Sequence, residues 1–152
     1  MIMALEPFFR GRLIAIGGNE DKSDELIVLK RVVQEVGKTD YKVGIITTAS
    51  EDPEQRGRNY RQVFTTLGAS KIEILNIRER TQANDKKLAK TLENVDLIFL
   101  TGGDQLRLTS IIGGSRVLQS IQYHAPANKM TGSVTPYRKD LNIPSNLSEY
   151  PV

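Results

Sequence analysis

The chain has 152 residues, 39% of them hydrophobic and 26% charged, the balance of one globular domain with a real core rather than of a disordered tract. It contains no cysteine and a single histidine, His124, which excludes disulfide scaffolds, thiolate metal sites and histidine-rich metal centres, and no cofactor is expected. The formal net charge of +3 comes from scattered Lys and Arg, so no nucleic-acid partner is expected; no apolar run reaches the roughly 18 residues of a membrane span, so no membrane partner is expected either.

The N-terminal stretch around Glu6 and Arg10 lacks the layout of a secretory signal, and with the absence of cysteine this leads us to expect a cytoplasmic location. Leu13 to Ile16 reads as a first apolar strand, which runs into Gly17-Gly18-Asn19-Glu20-Asp21-Lys22. A helix is expected from Asp21 or Ser23, with Leu26, Leu29, Val33 and Val36 at helical spacing and a stop at Gly37. This turn is not a dinucleotide fingerprint, because the third glycine is missing. Nor is it a phosphate loop, which requires Gly-Lys-Ser/Thr.

Val43 to Thr47 gives a second strand, followed by Thr48-Ala49-Ser50. Asp52-Pro53-Glu54-Gln55 is a helix start: Asp52 caps, Pro53 suits the first helical position, and Gln55 is placed to reach back as in a capping box. Tyr60, Val63, Phe64 and Leu67 line one face of this helix, Arg56, Arg58 and Arg61 belong to its wet face, and Gly68 ends it. Ile72 to Ile77 predicts a third, less buried strand. Asn84 is expected to cap a short helix that holds Leu88 and Leu92.

Val95 to Leu100 is a short apolar run of the kind found in strands buried on both faces. It stops at Thr101-Gly102-Gly103-Asp104-Gln105, and Leu108, Ile111 and Ile112 then recur at helical spacing. A strand that turns into a helix through two glycines leaves main-chain N–H groups open to a ligand. After Gly113-Gly114, Ser115 opens another helical pattern with Val117, Leu118 and Ile121. The order βαβαβαβα calls for a parallel sheet with right-handed crossovers and helices on both faces. Ligands of such sheets bind beyond the carboxyl ends of the strands, where both Gly-Gly turns lie. Residues 1–121 are thus expected to form an α/β domain. Residues 122–152, with Pro126, Pro136, Pro144 and Pro151 and no clear period, are expected to be an irregular tail.

Four stretches, in this order, resemble the cyanophycinase family of serine peptidases: Gly17-Gly18-Asn19-Glu20-Asp21-Lys22, Ile45-Ile46-Thr47-Thr48-Ala49-Ser50, Asn76-Ile77-Arg78-Glu79-Arg80, and Thr101-Gly102-Gly103-Asp104-Gln105-Leu106-Arg107-Leu108. The resemblance runs from about Leu13 to about Ile121. It implies a flavodoxin-like, three-layer parallel sheet related to the class I glutamine amidotransferase-like group. It also implies an exopeptidase that releases β-Asp-Arg dipeptides from cyanophycin, a poly-aspartate backbone that carries arginine on each side chain. By that resemblance the Gly103 main chain is half of an oxyanion hole and Gln105, with Asp104 beside it, contacts substrate. Paired N–H donors stabilise the charge of a tetrahedral intermediate, and an amide can both donate to and accept from a peptide.

The resemblance also implies a further strand ending in a Gly-x-Ser-x-Gly elbow, and no such elbow occurs here. Thr131-Gly132-Ser133-Val134 lacks the final glycine, and His124 precedes the place where the elbow would fall. The expectation is therefore a truncated or frame-shifted N-terminal half with no catalytic residue of its own, inactive alone, whose native frame ends near Gln122. The flank of the Val95–Leu100 strand should then be covered by the tail or by self-association, as a homo-oligomer or with the missing C-terminal half. The alternative is a small non-catalytic module that holds an anion or peptide in its Gly-Gly loops.

Overall fold

The computed structural model describes residues 12–17, 22–122 and 130–135. Its strands are β1 (Arg12–Gly17), β2 (Tyr41–Ile46), β3 (Ala69–Leu75), β4 (Leu97–Leu100) and β5 (Met130–Thr135). The helices are α1 (Lys22–Val36), α2 (Pro53–Thr66), α3 (Arg80–Ala83), α4 (Lys86–Glu93), α5 (Gln105–Ile112) and α6 (Arg116–Gln122). The strands form one five-stranded sheet in the order β1-β5-β4-β2-β3, and every pairing is parallel. This is the α/β, flavodoxin-like arrangement that the alternating strand and helix patterns call for.

The period of two along the strands divides the core between the faces. Val43, Ile45, Leu97 and Phe99 point to one side and pack with Leu29 and Val32 of α1 and Tyr60 and Phe64 of α2. Ile46 and Ile98 point to the other, against Ala89 and Leu92 of α4, Ile112 of α5 and Val117 and Ile121 of α6. Phe99 centres the first cluster, with ring centroids 4.7 Å from Tyr60 and 5.2 Å from Phe64, the tilted and edge-on contacts that aromatic quadrupoles favour. Gly57 of α2 brings that helix close to the sheet, since a Cβ there would come within 3.1 Å of Ile74 Cγ2.

Helix ends follow the capping residues, with two corrections. Asp52 caps α2 by accepting from the Gln55 N–H at 3.0 Å, but the Gln55 side chain donates forward to Asn59 Oδ1 at 2.8 Å instead of reaching back. Asp85, not Asn84, caps α4, and its Oδ1 accepts from the N–H groups of Lys87 and Leu88. Asn84 instead closes α3: its side-chain amide donates to the Arg80 carbonyl at 3.0 Å, and its Oδ1 accepts from the Arg116 N–H at 3.3 Å.

The stretch expected to be irregular contains β5, which fills the slot between β1 and β4. Met130 to Ser133 pair with Leu97 to Leu100, and the whole of β5 pairs with β1. Thr131, Val134 and Thr135 are β-branched and suit a strand, and a slot with a partner on each side satisfies backbone groups in both directions. The flank of β4 is thus covered by the tail, as expected.

Candidate active site

Parallel strands bring their carboxyl ends to one edge, and the loops after β2, β3 and β4 meet there. Ala49 and Gly103 come into close contact there. The Asp104 N–H donates to the Ala49 carbonyl at 2.8 Å, and a Cβ added to Gly103 would overlap that same carbonyl and come within 3.0 Å of Ser50 N. Gly103 also has φ +149, a conformation that side-chain-bearing residues rarely adopt. Its glycine is required on both counts.

Buried hydroxyls fix the same two loops to each other. Ser50 Oγ and Thr101 Oγ1 lie 2.7 Å apart in a hydrogen bond, Ser50 Oγ also donates to the Gly102 carbonyl at 3.2 Å, and the Thr101 N–H donates to the Ile46 carbonyl at 3.0 Å. Both side chains are almost wholly buried. The neighbouring Thr47 and Thr48 hydroxyls are buried without a hydrogen-bond partner among the described residues. No hydrogen bond among the described residues engages the Gly103 N–H. The loop therefore holds a main-chain donor in fixed geometry with capacity to spare.

Asp104 and Gln105 follow. The Asp104 carboxylate is committed to its own helix: Oδ1 accepts from the N–H groups of Leu106 at 2.9 Å and Arg107 at 3.1 Å, the N-cap of α5. Gln105 is the first residue of α5; it is exposed, and no hydrogen bond within the described residues occupies its amide.

Two further residues converge on the loop whose roles sequence reasoning did not assign, although both lie in the motifs singled out above. Arg78, just beyond β3, donates from Nη1 to the Ser50 carbonyl at 3.3 Å, and Arg107, in the first turn of α5, donates from Nη1 to the same oxygen at 3.1 Å. Their nitrogens thus lie within about 6.5 Å of each other. At that separation two cations repel by roughly 0.6 kcal/mol in water and by about 2.5 kcal/mol at an effective dielectric near 20. No carboxylate among the described residues lies within ion-pair distance of either guanidinium.

The other sequence candidates stand apart from this loop or outside it. Ser133 lies inside β5, in register with Leu100 and Ala15, and the strand continues to Thr135. A nucleophile elbow sits at the turn after a strand, not within its ladder. His124 and the turn residues Gly18 to Asp21 lie outside the described residues. Among the described residues no group of three His, Cys, Asp or Glu is placed to hold a metal ion. A concavity of about 360 Å³ between α4 and α6 shares no lining residue with the glycine loop. Its walls carry Lys86, Lys90 and Arg116 but none of the strand-end donors, so the strand-end loops remain the better candidate.

Comparison with known proteins points the same way. Residues 13–131 match the family described as peptidase family S51. The curated cyanophycinase of Geminocystis herdmanii is 32% identical over 127 residues, which are 84% of this chain and 47% of that protein. The cyanophycinase of Trichormus variabilis is 35% identical over 119 residues, 78% of this chain and 40% of that protein. The chain thus spans about half the length of the curated relatives it matches. Among solved structures, a peptidase from an acI-B1 Actinobacterium superposes with a TM-score of 0.64 at 18% identity, covering 87% of this chain and 57% of that one, a likeness of fold. No helix among the described residues is long and apolar enough to cross a membrane. With the family match running from β1 into β5 and across the whole strand-end loop, the chain belongs to peptidase family S51.

Proposed function

We propose that this chain carries the substrate-holding part of a cyanophycinase-like serine peptidase site, with cyanophycin or its β-Asp-Arg units as ligand and without nucleophilic chemistry of its own. The observation that carries the reading is the Gly103 loop: a main-chain donor fixed against Ala49 at the carboxyl edge of the sheet, with Gln105 exposed beside it. Such a donor stabilises the oxyanion of acyl transfer, and the Gln105 amide can both donate to and accept from a peptide. Asp104 serves this site by fixing the first turn of α5, on which Gln105 stands. The curated relatives named cyanophycinase support the choice of ligand.

Acyl transfer by a serine peptidase also needs a hydroxyl activated by a base. The position of Ser133 within the ladder supports the absence of a nucleophile here. A C-terminal half is the partner that would complete the site; residues 1–121, with β5 added to their sheet, are its α/β half, and a cytoplasmic location belongs to the same reading. The test is a hydrolysis assay on cyanophycin with the purified chain, run beside labelling by a serine-directed fluorophosphonate. The expected result is retention of cyanophycin with no release of β-Asp-Arg and no label. Turnover that Ser133→Ala abolishes would overturn the reading of an absent nucleophile, and failure to retain cyanophycin would overturn the choice of ligand.

A further inference from the structure

Resting on that reading of the site, we propose that Arg78 and Arg107 form a clamp for a free carboxylate, the arginyl α-carboxylate of the β-Asp-Arg unit. Two guanidinium groups from different elements, one beyond β3 and one in α5, are brought to a single carbonyl oxygen, that of Ser50, at 3.3 and 3.1 Å. One donor suffices to satisfy a carbonyl within a turn, so the second cation is surplus to the loop. Convergence of like charges is unfavourable unless an anion offsets it.

The neighbouring carboxylates among the described residues do not do so. Asp104 and Asp52 are held as helix N-caps, Glu79 takes part in the capping box of α3, and Glu51 makes no ion pair with either arginine. Each guanidinium has five N–H donors, and the Ser50 carbonyl engages one from each. The remaining donors match the planar, two-oxygen geometry of a carboxylate better than that of any neutral group. Arg78 is exposed and Arg107 half-buried, so both can be reached from solvent.

Placement names the carboxylate. Ser50, which both arginines grip, lies against Gly103, close enough for a Gly103 Cβ to come within 3.0 Å of its nitrogen. A peptide whose scissile carbonyl sits on the Gly103 N–H would have a group a residue away at the arginines. In a β-Asp-Arg unit the arginine is joined through its α-amino group, so its α-carboxylate is free. The clamp thus selects for ligands that keep this carboxylate, and it anchors the unit without touching the bond that breaks.

Calorimetric titration of the whole chain with β-Asp-Arg, and with the analogue whose arginyl carboxylate is an amide, tests this. Binding of the acid should be at least about tenfold tighter than that of the amide, as expected for loss of charge-assisted hydrogen bonds. Arg78→Gln and Arg107→Gln should each weaken the acid and leave the amide unchanged, whereas Arg116→Gln should change neither. Equal affinity of the unaltered chain for acid and amide would overturn the clamp while leaving the proposed site standing. Absence of binding by either ligand would overturn both. Because the acid and amide are compared on the unaltered chain, the answer does not depend on whether the arginine variants fold.

Discussion

Replacing Gly103 by alanine isolates the contact on which the candidate site depends. The added methyl would overlap the Ala49 carbonyl and press on Ser50 N, so the two loops must part. Parting breaks the 2.8 Å bond from the Asp104 N–H to that carbonyl, worth about 1 kcal/mol. The φ of +149 adds a backbone penalty of about 1–2 kcal/mol for any residue with a Cβ. The sum, about 2–3 kcal/mol, corresponds to a fall in Tm of roughly 6–12 °C for a chain of this size. Gly68 supplies the control: its φ is +95, but a Cβ there meets nothing within 4 Å. Gly68→Ala should therefore show the backbone term alone, about 1 kcal/mol and roughly 3–4 °C. Thermal unfolding followed by circular dichroism compares the two. Equal losses would refute the argument, since they would mean that the Ala49 contact contributes nothing beyond backbone conformation.

Three other outcomes are expected. Phe99→Ala should destabilise the fold by about 3–5 kcal/mol in urea unfolding, because it removes the ring that Tyr60 and Phe64 pack against. Asp85→Ala should remove about 1 kcal/mol by uncapping α4, and Asn84→Ala should remove less; the reverse order would restore Asn84 as the cap. Burial pushes the Tyr41 hydroxyl up to about 12, so its phenolate absorbance should rise well above pH 10. Between about pH 10 and 12 the unfolded chain releases this proton and the folded chain retains it. Stability should therefore fall as pH rises through that window, by up to about 2 kcal/mol, and a Tyr41→Phe variant should lack this part of the alkaline loss.

What the sequence made legible and what it hid follow from where each signal is stored. Val43 to Ile46 and Leu97 to Phe99 are buried on both faces, so their apolar runs announce central strands without any tertiary information. The Gly-Gly-Asp-Gln turn was equally visible, since a glycine forced by close approach leaves its mark in residue type. By contrast β5, Met-Thr-Gly-Ser-Val-Thr, has little apolar content, and its strand state comes from the two partners that enclose it. Asn84 and Asp85 are both capping types side by side, and only the packing of α3 against α6 decides between them. Arg78 and Arg107 meet Ser50 across 28 and 57 positions of chain, a convergence that no local pattern records.

The place of β5 has a consequence for the order in which the chain acquires its structure. Among the described strands β1 is at the edge of the sheet and hydrogen-bonds to β5 alone, with Arg12 opposite Met130, about 118 positions away. At typical synthesis rates, on the order of 6–24 s pass between the emergence of these two partners. β2, β3 and β4, with the helices between them, can assemble during that interval because their pairings close shorter loops. β1, made before the other described strands, is thus the last of them to dock, held by a partner poor in apolar side chains. Amide hydrogen exchange in the finished protein should record this history, with β1 and β5 opening together and more often than β2 and β4.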